Sequence, residues 1–228
     1  MLTALLALML TTDANQPQTF EGTVPVALNY LLTLPEGYDE QPEASFPLVL
    51  FLHGFGESGD DLDLVKKHGP PKFAAEGQTL SYLLVAPQNP KGRWWQPIEL
   101  LALLDDIESR YRVDADRVYI TGLSMGGYGT WNTAGMAPNR FAAAAPICGG
   151  GNGVLTEYVG TLPIWAFHGD ADPVVPPMLS QHLVNRINKK GGNAKLTLYE
   201  GVGHDSWTQT YDDPAFWDWL LSQNRRNR

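Results

Sequence analysis

The feature that most constrains this chain is a series of apolar, β-rich runs alternating with segments of helical spacing. The runs cover residues 47–54, 80–87, 116–122, 141–148, 162–169 and 194–201. Their apolar residues are consecutive rather than alternate, which is the mark of strands covered on both faces and so of a mainly parallel sheet. Between them lie helical segments. Residues 97–112 open on a proline and carry a leucine/isoleucine face, and residues 125–137 follow a strand directly. Residues 176–192 begin with proline and stop at glycine with lysines in the last turn, and 214–224 close the chain. Proline at the start, and basic residues and glycine at the end, are helix boundary signals with a physical basis in the unpaired amides and carbonyls there. Residues 26–35 read as one strand of an antiparallel hairpin at the beginning. The alternation predicts an α/β sandwich of three layers, a mainly parallel sheet with helices on both faces. At 228 residues, with no linker or repeat in view, residues 15–228 are expected to form one domain.

Composition narrows the partners. The chain is 43% hydrophobic and 18% charged, with a formal net charge of -9. It has no basic stripe, which argues against nucleic acid and anionic membranes. The basic cluster at 224–228 reads as a solvated chain end. The single cysteine, Cys148, permits no intrachain disulfide and no thiolate zinc cluster, and its small apolar neighbours predict a buried, inert thiol. Residues 1–10 are apolar but too short to span a bilayer. Residues 1–14 are read as an export signal, with Thr12 and Ala14 before a cut; a short apolar helix is the competing reading, since no Lys or Arg precedes the run. Export is the expectation, and a cytoplasmic location the alternative.

The chemistry concentrates in the stretch VYITGLSMGGYGTW, 118–131. It begins as a strand, ends as a helix, and places Ser124 at the joint within G-x-S-x-G. In such a turn a strained serine projects its hydroxyl above the sheet, and the glycines clear its flanks. The Met125 amide then lies at a helix N-terminus, where an oxyanion can be held. A serine hydroxyl needs a base. Of the five histidines, His182 falls within a helix, His68 within the loop KKHGPPK, and His53 at a strand end with a turn-holding role. His204, after the last strand, is at the end of the sheet where Ser124 should emerge. The orienting acid should precede His204 in the order Ser, Asp, His. FHGDADPVVP offers Asp170 and Asp172. Asp172 lies deeper in the loop and can reach His204, whereas Asp170 is better placed to tie down loop backbone. Asp205 reads as a helix cap. The glycine-rich loop HGFGESG supplies the second oxyanion donor, the Phe55 amide.

With these elements placed, the chain resembles an α/β-hydrolase of the carboxylesterase/phospholipase/dienelactone hydrolase group. It is similar to small bacterial esterases related to polyhydroxyalkanoate depolymerases, feruloyl esterases and predicted peptidases. The segments that carry the likeness are LHGFGE, VAPQNP, RWWQP, GLSMGGYGTW, APICGGG, FHGDADPVVP and GVGHDSW, in that order. The resemblance implies a Ser124, Asp172, His204 triad with Phe55 and Met125 as oxyanion donors, and no metal or organic cofactor. It implies hydrolysis of carboxylic esters through an acyl-enzyme. Only residues 149–161 separate two of the strands, too few for a cap domain, so the cleft is expected to be open. Such a cleft suits small or polymer-linked esters with short-chain or aromatic, feruloyl-type acyl groups. Trp94 and Trp95 are candidates for a substrate wall; the competing reading packs both against the next helix. Three other functions use the same residues. A serine peptidase would share the triad, a binding module would keep the scaffold without the chemistry, and His168, Asp170 and Asp172 could form a metal site.

Overall fold

The computed structural model describes residues 25–228, so the expected export segment lies outside the described residues. The strands are β1 (Asn29–Thr33), β2 (Phe46–Leu52), β3 (Leu83–Gln88), β4 (Val113–Leu123), β5 (Ala143–Ile147), β6 (Ile164–Gly169) and β7 (Ala194–Tyr199). They form one 7-stranded sheet in the order β1-β3-β2-β4-β5-β6-β7. Every pairing is parallel except that of β1 with β3. The helices are α1 (Gly69–Ala75), α2 (Pro97–Arg110), α3 (Met125–Met136), α4 (Met178–Lys189), α5 (Trp207–Asp212) and α6 (Pro214–Ser222). The alternation of runs predicts this mainly parallel sheet, and the architecture is consistent with the α/β-hydrolase fold that the resemblance implies. Among the described residues no helix is long and apolar enough to cross a membrane.

Period-two geometry explains the unbroken apolar runs. Successive side chains of a strand point to opposite faces, and both faces are covered. On β2, Leu48, Leu50 and Leu52 join one core with Leu100, Leu104 and Ile107 of α2, Trp131 of α3 and Leu183 of α4. Val49 and Phe51 face the other core, with Tyr211 of α5 and Phe216 and Leu220 of α6. Each fully buried Leu, Ile or Phe contributes roughly 1.5–3 kcal/mol of transfer free energy, so two packed faces hold the central strands firmly. The joint at the end of β4 that carries Ser124 is fixed on this rigid centre.

Two expectations need correction. The strand within 26–35 is antiparallel, but its partner is β3, two strands on, with Asn29 opposite Gln88 and Thr33 opposite Leu84. It is not half of a hairpin with its neighbour in sequence. The loop reading of KKHGPPK also fails, because His68 is the N-cap of α1, which has prolines in its first turn. Between β5 and β6 the only helical piece is the 3-10 turn Leu155–Tyr158. No cap domain is inserted there.

Candidate active site

Ser124 has φ 53 and ψ -115, a conformation that non-glycine residues rarely adopt. The surroundings enforce it. The Ser124 amide donates to Ile147 O at 3.0 Å, and the Tyr128 amide returns to Ser124 O at 3.0 Å to start α3. A Cβ at Gly126 would stand 1.9 Å from Leu52 O, and one at Gly122 would stand 2.6 Å from both Leu52 O and Gly126 O. The helix therefore lies directly on β2 and β4, which a larger residue would prevent. Ser124 keeps partial exposure on top of the joint.

His204 and Asp172 reach it from loops after β7 and β6. Ser124 Oγ is 2.9 Å from His204 Nε2, and His204 Nδ1 is 2.7 Å from Asp172 Oδ2. The carboxylate fixes Nδ1 as the protonated nitrogen, leaving Nε2 to accept the serine proton. Asp172 is fully buried at its side chain. Its other oxygen accepts from the amides of Val174 at 2.8 Å and Val175 at 3.0 Å. Burial alone would raise the Asp172 carboxyl. The hydrogen bonds from His204, Val175 and Val174, with the attraction of His204, outweigh it and hold the group below its ordinary value.

The remaining acids and histidines separate cleanly. Asp170 accepts from the Gly201 amide at 2.7 Å and so ties the β6 and β7 loops together. Asp205 accepts from the Thr208 amide at 3.0 Å and caps α5. The His168, Asp170, Asp172 set does not converge as metal ligands. His168 contacts Ser180 Oγ at 2.8 Å and Val175 O at 2.9 Å, while Asp170 turns to Gly201. His168 Nε2 also lies 3.2 Å from Asp172 Oδ2, with both side chains fully buried. It thus braces the acid from behind, a role that its place in an apolar strand concealed. His53 is a turn-holder: Nδ1 donates to Gly54 O at 2.5 Å and Nε2 accepts from the Asn89 amide at 2.9 Å. Burial pulls its pKa down to about 4, so it is neutral at pH 7.

The two amides proposed for the oxyanion begin helical turns. Met125 is the first residue of α3, and Phe55 is the first of the 3-10 turn Phe55–Glu57. First-turn amides have no acceptor within their own helix. A Cβ at Gly54 would lie 3.7 Å from Ser124 Cβ, which places the Phe55 turn beside the serine. The structure separates the two tryptophans. Trp95 is only 4% exposed and its indole donates to His53 O at 3.1 Å, so it belongs to the core and is no substrate wall. Trp94 is 55% exposed and sits edge-on to Tyr128, with ring centroids 5.4 Å apart. Tyr128 lies one helical turn after Ser124, a position that sequence reasoning overlooked. Cys148 is buried and desolvation raises its thiol well above the ordinary range, which leaves it inert. A surface hollow of about 630 Å³ along α4 is lined by Gly151, Leu179, His182 and Arg186 and does not include the triad.

The dienelactone hydrolase family profile matches residues 84–216, more than half of the chain and all of the triad. This chain belongs to the dienelactone hydrolase family. Among curated relatives, poly(3-hydroxyalkanoate) depolymerase C of Paucimonas lemoignei is 30% identical over 146 residues. That match covers 57% of this chain and 33% of the depolymerase, so this chain spans about a third of its relative's length. Among solved structures, a thermostable esterase is 37% identical with a TM-score of 0.74, covering 86% of this family member and 59% of that chain. Esterase PE8, at 22% identity and TM-score 0.65, covers 86% of this chain and 100% of its own and shares the fold.

Proposed function

We propose that this member of the dienelactone hydrolase family is a serine esterase that hydrolyses carboxylic esters through an acyl-enzyme. The observation that carries the reading is the unbroken hydrogen-bonded line from Asp172 through His204 to Ser124. His204 Nε2 takes the Ser124 proton as Oγ attacks the ester carbonyl. Asp172 holds the ring in the tautomer that can do this and stabilises the imidazolium that results. The tetrahedral oxyanion is held by the amides of Phe55 and Met125, each such donor lowering the barrier by roughly 3 kcal/mol. His204 then protonates the leaving alcohol, and water enters by the same route in reverse.

The absence of an inserted cap between β5 and β6 and the partial exposure of Ser124 favour an open cleft. Such a cleft admits esters of short or aromatic acyl groups, including ones attached to polymers. Trp94, backed by Tyr128, offers an aromatic face beside it. Rates on p-nitrophenyl acetate, on feruloyl esters and on a peptide anilide separate the readings. Ester hydrolysis that vanishes in S124A supports the proposal. Cleavage of the anilide at comparable or greater efficiency indicates a peptidase instead, and ester hydrolysis retained in S124A overturns the mechanism.

A further inference from the structure

Beside the triad lies a carboxylate that the mechanism above does not use. Glu57 ends the 3-10 turn that begins with Phe55, and its side chain is 10% exposed. Its main-chain oxygen accepts from Gln88 Nε2 at 2.8 Å, which pins the turn. Among the described residues, no hydrogen bond reaches its carboxylate. His68 faces it, with Nε2 3.8 Å from Glu57 Oε1, too far for a direct hydrogen bond. A carboxylate so nearly buried is costly unless something donates to it.

The position of this pair relates it to the reaction. A Cβ at Gly54 would stand 3.1 Å from Glu57 Oε2 and 3.7 Å from Ser124 Cβ, so the carboxylate and the nucleophile border the same point. Trp207 bridges to the base: its ring is edge-on to His68 and to His204, with centroids 5.4 Å away in each case. His204 must protonate the leaving oxygen, so the alcohol half of an ester lies on the His204 side of the cleft. Trp207 and His68 continue that side. His68 is 35% exposed at its side chain and open to a ligand.

A gap of 3.8 Å between an imidazole nitrogen and a carboxylate is the span that one bridging group closes. When His68 carries a proton on Nε2, the group must accept from that N–H and donate to the carboxylate. A hydroxyl does both, whereas an ammonium only donates and an ether only accepts. We propose that Glu57 and His68 form an alcohol-side subsite for a hydroxyl carried by the leaving alcohol, so that esters of diols and polyols are preferred over esters of simple alkanols. The inference rests on the ester-hydrolase reading.

The test compares 2-hydroxyethyl acetate with n-propyl acetate, which match in heavy-atom count and differ in the terminal group. The ratio of their kcat/KM values is divided by the ratio for hydrolysis by free hydroxide, which removes intrinsic reactivity. The wild-type protein should favour the hydroxyethyl ester about tenfold, the gain of a hydrogen bond to a charged acceptor. E57M and H68F should each bring the corrected ratio towards one. Should E57M fail to fold, E57Q replaces it and should lose part of the preference. A wild-type ratio near one, or a preference kept by both variants, overturns the subsite. If neither ester is hydrolysed, the esterase reading has failed instead, and binding decides the subsite. Saturation-transfer NMR of 2-hydroxyethyl acetate on S124A should then show contact at the hydroxymethyl end that S124A/E57M loses. Equal spectra from the two variants would contradict it.

Discussion

Ser124 and His204 touch at 2.9 Å in the resting protein, so the nucleophile's proton has its acceptor in place before substrate arrives. Removing either should cost kcat on the order of 10⁶-fold, and D172N about 10⁴-fold, because an amide favours the wrong imidazole tautomer. Steady-state rates on p-nitrophenyl acetate check both figures. A different histidine governs acid stability. Between pH 6.5 and about 4 the unfolded chain binds a proton at His53 that the folded protein refuses. Stability from this residue is therefore intact above pH 6.5 and falls with pH through that window, by about 3 kcal/mol in full. His168, also lowered by burial, adds a slope of the same sign. Urea midpoints measured from pH 7 to pH 4.5 should fall steeply in the wild-type protein and less in H53Q; equal slopes would contradict the assignment. The tryptophan pair gives the sharpest residue-level contrast. W95A should lose roughly 3–5 kcal/mol from the core, while W94A should leave the melting temperature nearly unchanged and alter the preference between aromatic and acetyl esters. The sequence does not reveal which of two adjacent side chains faces inward, because neighbours in an extended loop point opposite ways and only tertiary packing decides between them.

The decisive local unit is the β4–α3 joint. A Cβ at Gly126 meets a carbonyl oxygen of β2 at 1.9 Å, a backbone atom that cannot move aside alone. G126A should thus prevent folding or destabilise by several kcal/mol, visible as loss of soluble protein or a large drop in urea midpoint. This unit was legible in the sequence because its signals are local: strand, small residues, serine and helix follow one another within a few positions. That Asp172 rather than Asp170 meets His204 was also legible, since the depth of each in one short loop sets its reach. Elements whose identity depends on distant contacts were not. β1 pairs with β3 through a register that no neighbouring residue encodes. α1 has prolines in its first turn and is too short to show a periodic face, so it looks like a loop. His168 hides in an apolar strand, and only the folded chain brings it to Asp172.

At the scale of the whole molecule, one sheet with two covered faces serves as a rigid base, and loops from β2, β4, β6 and β7 gather at its carboxyl end. Ser124, Asp172 and His204 come from three separate loops, yet the parallel order β2-β4-β5-β6-β7 brings all three to the same edge. That Ser124, Asp172 and His204 gather at one end could be read beforehand because parallel strands all release their following loops there. The proposed Glu57–His68 subsite could not, since Glu57, His68 and Trp207 come from three elements with no shared motif. The central claim is that Ser124 Oγ becomes covalently acylated. Intact-protein mass spectrometry after brief acid quench of a slowly deacylating p-nitrophenyl ester tests it most directly. The account predicts a mass increase of one acyl group, mapped to the peptide containing Ser124, alongside a burst of p-nitrophenol equal to the enzyme present. Turnover with neither adduct nor burst, or an adduct that persists in S124A, would contradict it.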